Sequence, residues 1–456
     1  QPSLPDSFEA DTWSKLCEAV TAVHAATTVK YSREELYRGV EDMCVHKMAP
    51  RLYEKLHAQC AAHITGLVAS LSGQTLDHAA YLTKVEEVWA SHCRQMVIIR
   101  SIFLKLDRSY ALHTNGVSGL WDMGLHVFRA QLEAKSDVLS KLTSAMLQAV
   151  ERERNGETVD RSQLSALTRM LASLTLYPEF EAALLHASQT FYQAESQRRL
   201  EMTDVGAYLE HVEARHSEES LRAVAYLDQA TQRPLLDVLD TEMVAAHAAT
   251  LIDKGFAGLC DGNRLGALSR MFALFARVNC TEDIRQAFAA YCSAKGLAIV
   301  GDTANEKDMV VNLLRLKDTL DSFVADSFQA SDEFAQVVKE AFSKAVNSRD
   351  SRPAELIAKY MDAKLRTNKG SSEAEVEADL QRVMTLFRAV HGKDTFEAFF
   401  KKDLAKRLLL GRSASVDLEK SVLSKLKTEC GSGFTAKLEG MFKDIELSKD
   451  FMAEFK

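Results

Sequence analysis

The side chains with the clearest capacity for chemistry are a histidine pair, His211 and His216, the cysteines, and a basic run of Lys401, Lys402, Lys406, Arg407 and Arg412. In suitable geometry these would ligate a metal, attack an electrophile or hold a phosphate. Their spacing argues against each use. Five residues on a helix turn the two imidazoles away from one another, so they read as exposed helix histidines, not as a ligand pair. Cys17, Cys44, Cys60, Cys93, Cys260, Cys280, Cys292 and Cys430 form no C-x-x-C pair, and none sits in an electropositive local sequence. They read as inert core thiols, which behave as small hydrophobes. Asp403 and Glu397 dilute the basic run, which therefore reads as a solvated helix face. With no H-E-x-x-H, Walker loop, G-x-S-x-G elbow or paired-carboxylate motif, the expectation is a chain without catalytic residues, metal or cofactor.

The elements that would position such residues are helices. The 456 residues contain only 6 prolines and 20 glycines, long periodic stretches run between them, and no run of alternating β-branched residues ends in a hairpin turn, so the fold class is all-α. A net charge of -8 gives no reason to expect direct nucleic-acid binding. The most apolar candidate for a membrane span, Met96 to Leu106, is interrupted by Arg100 and Lys105, so no membrane is expected. Scattered thiols suggest a reducing compartment, nucleus and cytoplasm, without structural disulfides. A first residue of Gln1 and a helical pattern running unbroken to Lys456 suggest a fragment.

Along the chain, residues 1–10, with Pro2 and Pro5, read as an extended tail, and a first helix starts near Asp11 or Thr12 with Trp13, Leu16, Val20 and Val23 on its apolar stripe. Ser32 opens a second helix and a third begins after Pro50. One long helix is expected from Leu76 to about His113, then the turn Thr114-Asn115-Gly116, then a fifth helix with Leu120, Trp121, Leu125, Phe128 and Leu132. Turn signals at Arg154-Asn155-Gly156-Glu157, Asp261-Gly262-Asn263 and Gly370-Ser371-Ser372 divide the chain into 11–150, 151–262, 263–372 and 373–456. The first three blocks are each a little over a hundred residues, which suggests a helical repeat. In the last block Phe396, Phe399, Phe400, Leu404 and Leu408 form one stripe, with Lys401, Lys402, Lys406 and Arg407 on the wetter side, and Ser415 caps the next helix.

The run from Lys393 to Asp450, KDTFEAFFKKDLAKRLLLGRSASVDLEKSVLSKLKTECGSGFTAKLEGMFKDIELSKD, resembles the signature region of the cullins, scaffold subunits of multisubunit ubiquitin ligases. Further strings, among them His92-Cys93-Arg94-Gln95-Met96, Trp121-Asp122-Met123-Gly124-Leu125 and Pro353-Ala354-Glu355-Leu356-Ile357, extend the likeness over nearly the whole chain and resemble the cullin-4 type more narrowly. The resemblance implies an elongated stalk of three five-helix cullin repeats followed by part of a four-helix bundle. It implies a non-catalytic scaffold whose first repeat binds a β-propeller adaptor of the damaged-DNA-binding type. The binding residues it points to are Leu4 and Phe8 in the tail, Glu34, Tyr37, Arg38 and Glu41 on the second helix, and Trp121 and Leu125 on the fifth. Tyr37, Trp121 and Leu125 also fit core stripes, so core packing competes with partner contact at each. The RING-box protein and the ubiquitin-like modifier would act through a region beyond Lys456. The alternative is a helical-repeat adaptor or tethering protein with no ligase role.

Overall fold

A computed structural model describes residues 7–366 and 372–455. Among them the regular structure is helical, and the single β-type contact is an isolated antiparallel bridge between Arg366 and Ser413. The chain divides into two compact units, Gln1–Glu195 with Arg215–Leu239, and Ser196–Ala214 with Asp240–Lys456.

The first unit begins with α1 (Phe8–His24), α2 (Arg33–Val45), α3 (Ala49–Ala69) and α4 (His78–Ile102). Local chemistry sets their starts. Ser32 accepts a hydrogen bond from the Glu35 N–H and Asp77 one from the Ala80 N–H, which satisfies donors that a helix start leaves open. Pro50 lies in the first turn of α3, where its missing N–H costs nothing. Next come α5 (Leu104–Ser109), α6 (Leu120–Ala134), α7 (Ser136–Arg154) and α8 (Arg161–Ser173), and then α9 (Tyr177–Met202), α10 (Val205–Tyr226) and α11 (Gln232–Met243), each of which contributes residues to both units. Their inward stripes join in one core that runs from Leu16 and Val20 through Leu56, Met96, Phe128 and Leu142 to Phe180 and Tyr226. Gly124 marks how closely α6 approaches α4, because a Cβ there would lie 2.9 Å from a Met96 side-chain atom.

Four expectations need correction here. The tail is not extended to residue 10: α1 starts at Phe8, and Glu9 joins its first turn, bonded to Lys55 at 2.7 Å. The long helix is not continuous, because it breaks at Phe103 into α4 and α5. More than five helices precede Asn155, since α6 and α7 are separated by Lys135 alone, and position 150 falls inside α7. Finally, His211 and His216 on α10 are half-buried, not exposed.

The second unit holds α12 (Ala248–Leu251), α13 (Ala257–Asp261), α14 (Leu265–Arg277), α15 (Thr281–Gly301), α16 (Met309–Ser322), α17 (Asp332–Val346) and α18 (Arg352–Leu365). After residues outside the description, which include Gly370 and Ser371, it continues with α19 (Glu373–Ala389), α20 (Lys393–Leu409), α21 (Val416–Cys430) and α22 (Ser432–Phe455). Ser372 and Glu375 form a reciprocal capping box at the start of α19. Phe288, Phe328 and Phe334 pack with ring centroids 4.5–5.8 Å apart, edge-on or tilted as aromatic quadrupoles prefer. Arg407 corrects a further expectation. It is not on the wet side of α20 but 1% exposed, bonded to Glu419 at 2.7 Å and Asp362 at 2.5 Å.

Candidate partner-binding surface on the first unit

Helix α2 buries Leu36, Val40 and Met43. At 100° per residue that leaves Glu34, Arg38, Glu41 and Val45 along the opposite side. Arg38 donates to Glu34 at 2.6 Å within this stripe. Glu41 is tied to α5, 3.3 Å from Lys105, while Cys44 on the same flank has its thiol pushed up by burial and contacts Ser109. Tyr37 is half-buried beside them. Val45, at the end of the stripe, is 55% exposed.

The break at Phe103 explains how α5 and α6 are held. Asp107, almost wholly buried, accepts hydrogen bonds from Arg100 Nε and from the Leu120 backbone N–H, both at 2.8 Å. A carboxylate there satisfies an open donor at the α6 start and complements the helix dipole. Tyr53 donates to the Ser118 carbonyl at 2.9 Å and meets Tyr110 edge-on, fixing the same junction from α3. Burial pushes the Tyr53 hydroxyl above its ordinary pKa, so it stays a donor. In the connection between α5 and α6, Leu112 is 60% exposed, with its side chain close to Gly119.

Phe8 packs partly buried against the core and meets His46, just past α2, edge-on at 6.3 Å. One ring partner of Phe8 is thus within this chain. Leu4 lies outside the described residues. Trp121 and Leu125 are half-buried on α6 and pack on the core. The structure thus groups Glu34, Tyr37, Arg38 and Glu41 on α2 and sets Phe8 at its end. Among the described residues no hydrogen bond or ion pair joins Trp121 or Leu125 to α2.

Sequence reasoning missed Val45, Leu112, Lys105 and Asp107. Val45 was findable, since it continues the 34, 38, 41 spacing as an apolar residue on a polar stripe. Leu112 was not, because it fits the periodic pattern that the break at Phe103 interrupts.

The surface offers charge and two exposed apolar side chains, with no nucleophile set against a base. The buried thiols are equally unreactive: burial pushes Cys60 and Cys260 up to about 12, so neither is a thiolate near neutrality. Among the described residues no group of three His, Cys, Asp or Glu is arranged to hold a metal ion, and no helix is long and apolar enough to cross a membrane.

A family model described as the cullin alpha solenoid domain matches residues 13–452. Human Cullin-4A is 46% identical over 459 aligned positions, which cover all of this chain and 60% of that protein. Mouse Cullin-4A matches to the same extent, and Cullin-4 of Dictyostelium discoideum is 38% identical with 57% of its length covered. The chain therefore spans about 60% of the curated relatives it matches.

Proposed function

This chain belongs to the cullin family and is of the cullin-4 type, and from that premise we propose that it is a scaffold of a cullin-RING E3 ubiquitin ligase. It binds a β-propeller adaptor of the damaged-DNA-binding type through the first unit. Its contribution is positional: a stiff helical scaffold holds substrate near the ubiquitin-loading machinery, raises the effective concentration of acceptor lysines there, and supplies no catalytic residue. The RING-box protein and the ubiquitin-like modifier engage the rest of the protein, and the complex works in nucleus and cytoplasm.

The observation that carries this reading is the outer stripe of α2. Glu34, Arg38, Glu41 and Val45 lie on a helix whose other side is locked in the core, with Leu112 exposed on the adjoining α5–α6 connection. Apolar anchors supply affinity, and surrounding charges select the partner and speed encounter. Mixing the full chain with the β-propeller adaptor tests it by size-exclusion chromatography and calorimetry. A one-to-one complex is expected, weakened at least tenfold by Val45→Asp without loss of thermal stability. A folded chain that binds no adaptor would instead support a tethering protein outside the ligase system.

A further inference from the structure

Three histidines meet where α1, α3 and α4 converge. The His24 and His63 rings stack with centroids 3.9 Å apart and planes 6° from parallel. His63 Nε2 lies 3.1 Å from Gln95 Oε1, and the Gln95 amide nitrogen donates to the His24 carbonyl at 3.1 Å and to Ser91 Oγ at 3.3 Å. His92, 2% exposed, packs against the Trp89 and Phe128 rings at 5.7 and 4.9 Å. Four helices of the first unit thus contribute a ring or a bond: α1 His24, α3 His63, α4 His92 and Gln95, and α6 Phe128.

What surrounds the rings matters as much as their contacts. Among the described residues no ion pair includes any of the three, and the charges acting on His24 and His92 are those of other imidazoles. His63 and His92 act on His24, and His63 acts on His92. Against them, from α3, α4 and α6, stand only Gln95, which bonds His63, and the Gly124 backbone, which bonds His92. No carboxylate of α1, α3, α4 or α6 is among these contacts. Burial first, and then the neighbouring imidazoles, bring His24 and His92 down to about 4; burial lowers His63 as well, against the bond to Gln95. A stack of two neutral rings is stable, whereas two cations at that separation in a half-buried site repel with no counter-charge.

We propose that this imidazole cluster is an acid-sensitive lock, in which protonation drives α1, α3 and α4 apart and loosens the opening of the first unit while the second unit stays intact. The inference rests on the cluster alone and holds whether or not the adaptor reading does. The sign follows from linkage. The unfolded imidazoles take up protons near 6.5 while folded His24 and His92 resist until about 4, so this stability is complete above 6.5 and drains away as pH falls between those values. Within that window each such histidine lowers the folding equilibrium constant by about tenfold per pH unit.

The test uses the full chain at pH 7.5, 6.5, 5.5 and 5.0. Hydrogen exchange followed by mass spectrometry should show protection in α1, α3 and α4 falling with pH, relative to α15 and α17 of the second unit. His24→Phe keeps an aromatic stack without a titrating nitrogen, and its pH slope of stability should be shallower than the parent's by about tenfold in the equilibrium constant per pH unit. Histidine NMR of the unsubstituted chain serves if that variant folds poorly: the His24 and His92 imidazoles should remain neutral at pH 5.5. Ordinary titration of both, an unchanged slope in His24→Phe, or equal loss of protection in both units would overturn the proposal.

Discussion

Two ion pairs of similar length stand in opposite relations to water. On the outer face of α2, Arg38 meets Glu34 at 2.6 Å with side chains 71% and 74% exposed; in the core of the first unit, Arg154 meets Glu219 at 2.9 Å with side chains 3% and 0% exposed. Distance does not separate them, but solvent does. The exposed pair sits in high dielectric and is worth little to the fold, so its charges are free to exchange partners with another molecule. The buried pair is not. Glu219 also accepts from Arg222 at 2.5 Å and from the Tyr192 hydroxyl at 2.5 Å, and Arg154 donates to Ser188 at 2.8 Å. Burial raises the Glu219 pKa, and Arg154 and Arg222 more than reverse it, so the group is an anion. One region addresses a partner and the other holds the platform together.

The contrast breaks most visibly at Glu219. Glu219→Ala leaves two buried guanidinium groups short of a counter-ion, and removal of one member of such a network costs about 3–5 kcal/mol. Urea denaturation with hydrogen exchange in α7 and α9 should show that loss confined to the first unit. A cost below about 1 kcal/mol would mean that water reaches the network, and the distinction from the surface pair would fail. Arg407 in the second unit offers a sharper version, because it bridges two carboxylates, Asp362 and Glu419. Arg407→Ala should cost about 3 kcal/mol, whereas replacing all three with apolar residues of similar volume should be close to neutral or stabilising, measured by the same denaturation.

Asp107 lies between the extremes, since it is buried while its partner Arg100 is half exposed. Asp107→Asn keeps an acceptor for the Leu120 N–H but loses the charge that Arg100 and the α6 dipole favour. The expected cost is about 1–2 kcal/mol in thermal denaturation. Adaptor affinity should fall with it if the α5–α6 connection forms part of the docking surface.

How much of this was legible in the sequence depends on how local the cause is. Helix α2 was, because Ser32, the acidic first turn and the stripe Leu36, Val40, Met43 all act within a few residues. The all-helical class and the family resemblance were legible for the same reason repeated along the chain. The break at Phe103 was not, since the contact that ties the segment after it to α6, Asp107 to the Leu120 N–H, spans 13 residues. Arg407 reads as a wet-face residue by helical period, and only partners 12 and 45 positions away bring it inside. At the candidate site the charged residues of α2 could be named from spacing, but the contact of Phe8 could not, because its ring partner, His46, lies 38 positions away in the turn after α2.

The smallest expected effect is the most demanding test of the comparison. In the free chain, the coupling between Glu34 and Arg38 from a double-mutant cycle with Glu34→Ala and Arg38→Ala should be about 0.3–0.5 kcal/mol, falling with added salt. The same cycle on adaptor affinity should give a larger coupling, because docking removes water from around the pair and exposes each charge to the partner's. A coupling above about 1 kcal/mol in the free chain would place the pair with the buried networks, as part of the platform. A cycle that is small in the free chain and no larger in the complex would leave the stripe outside the docking surface, and attention would then move to Val45 and Leu112 as the anchors.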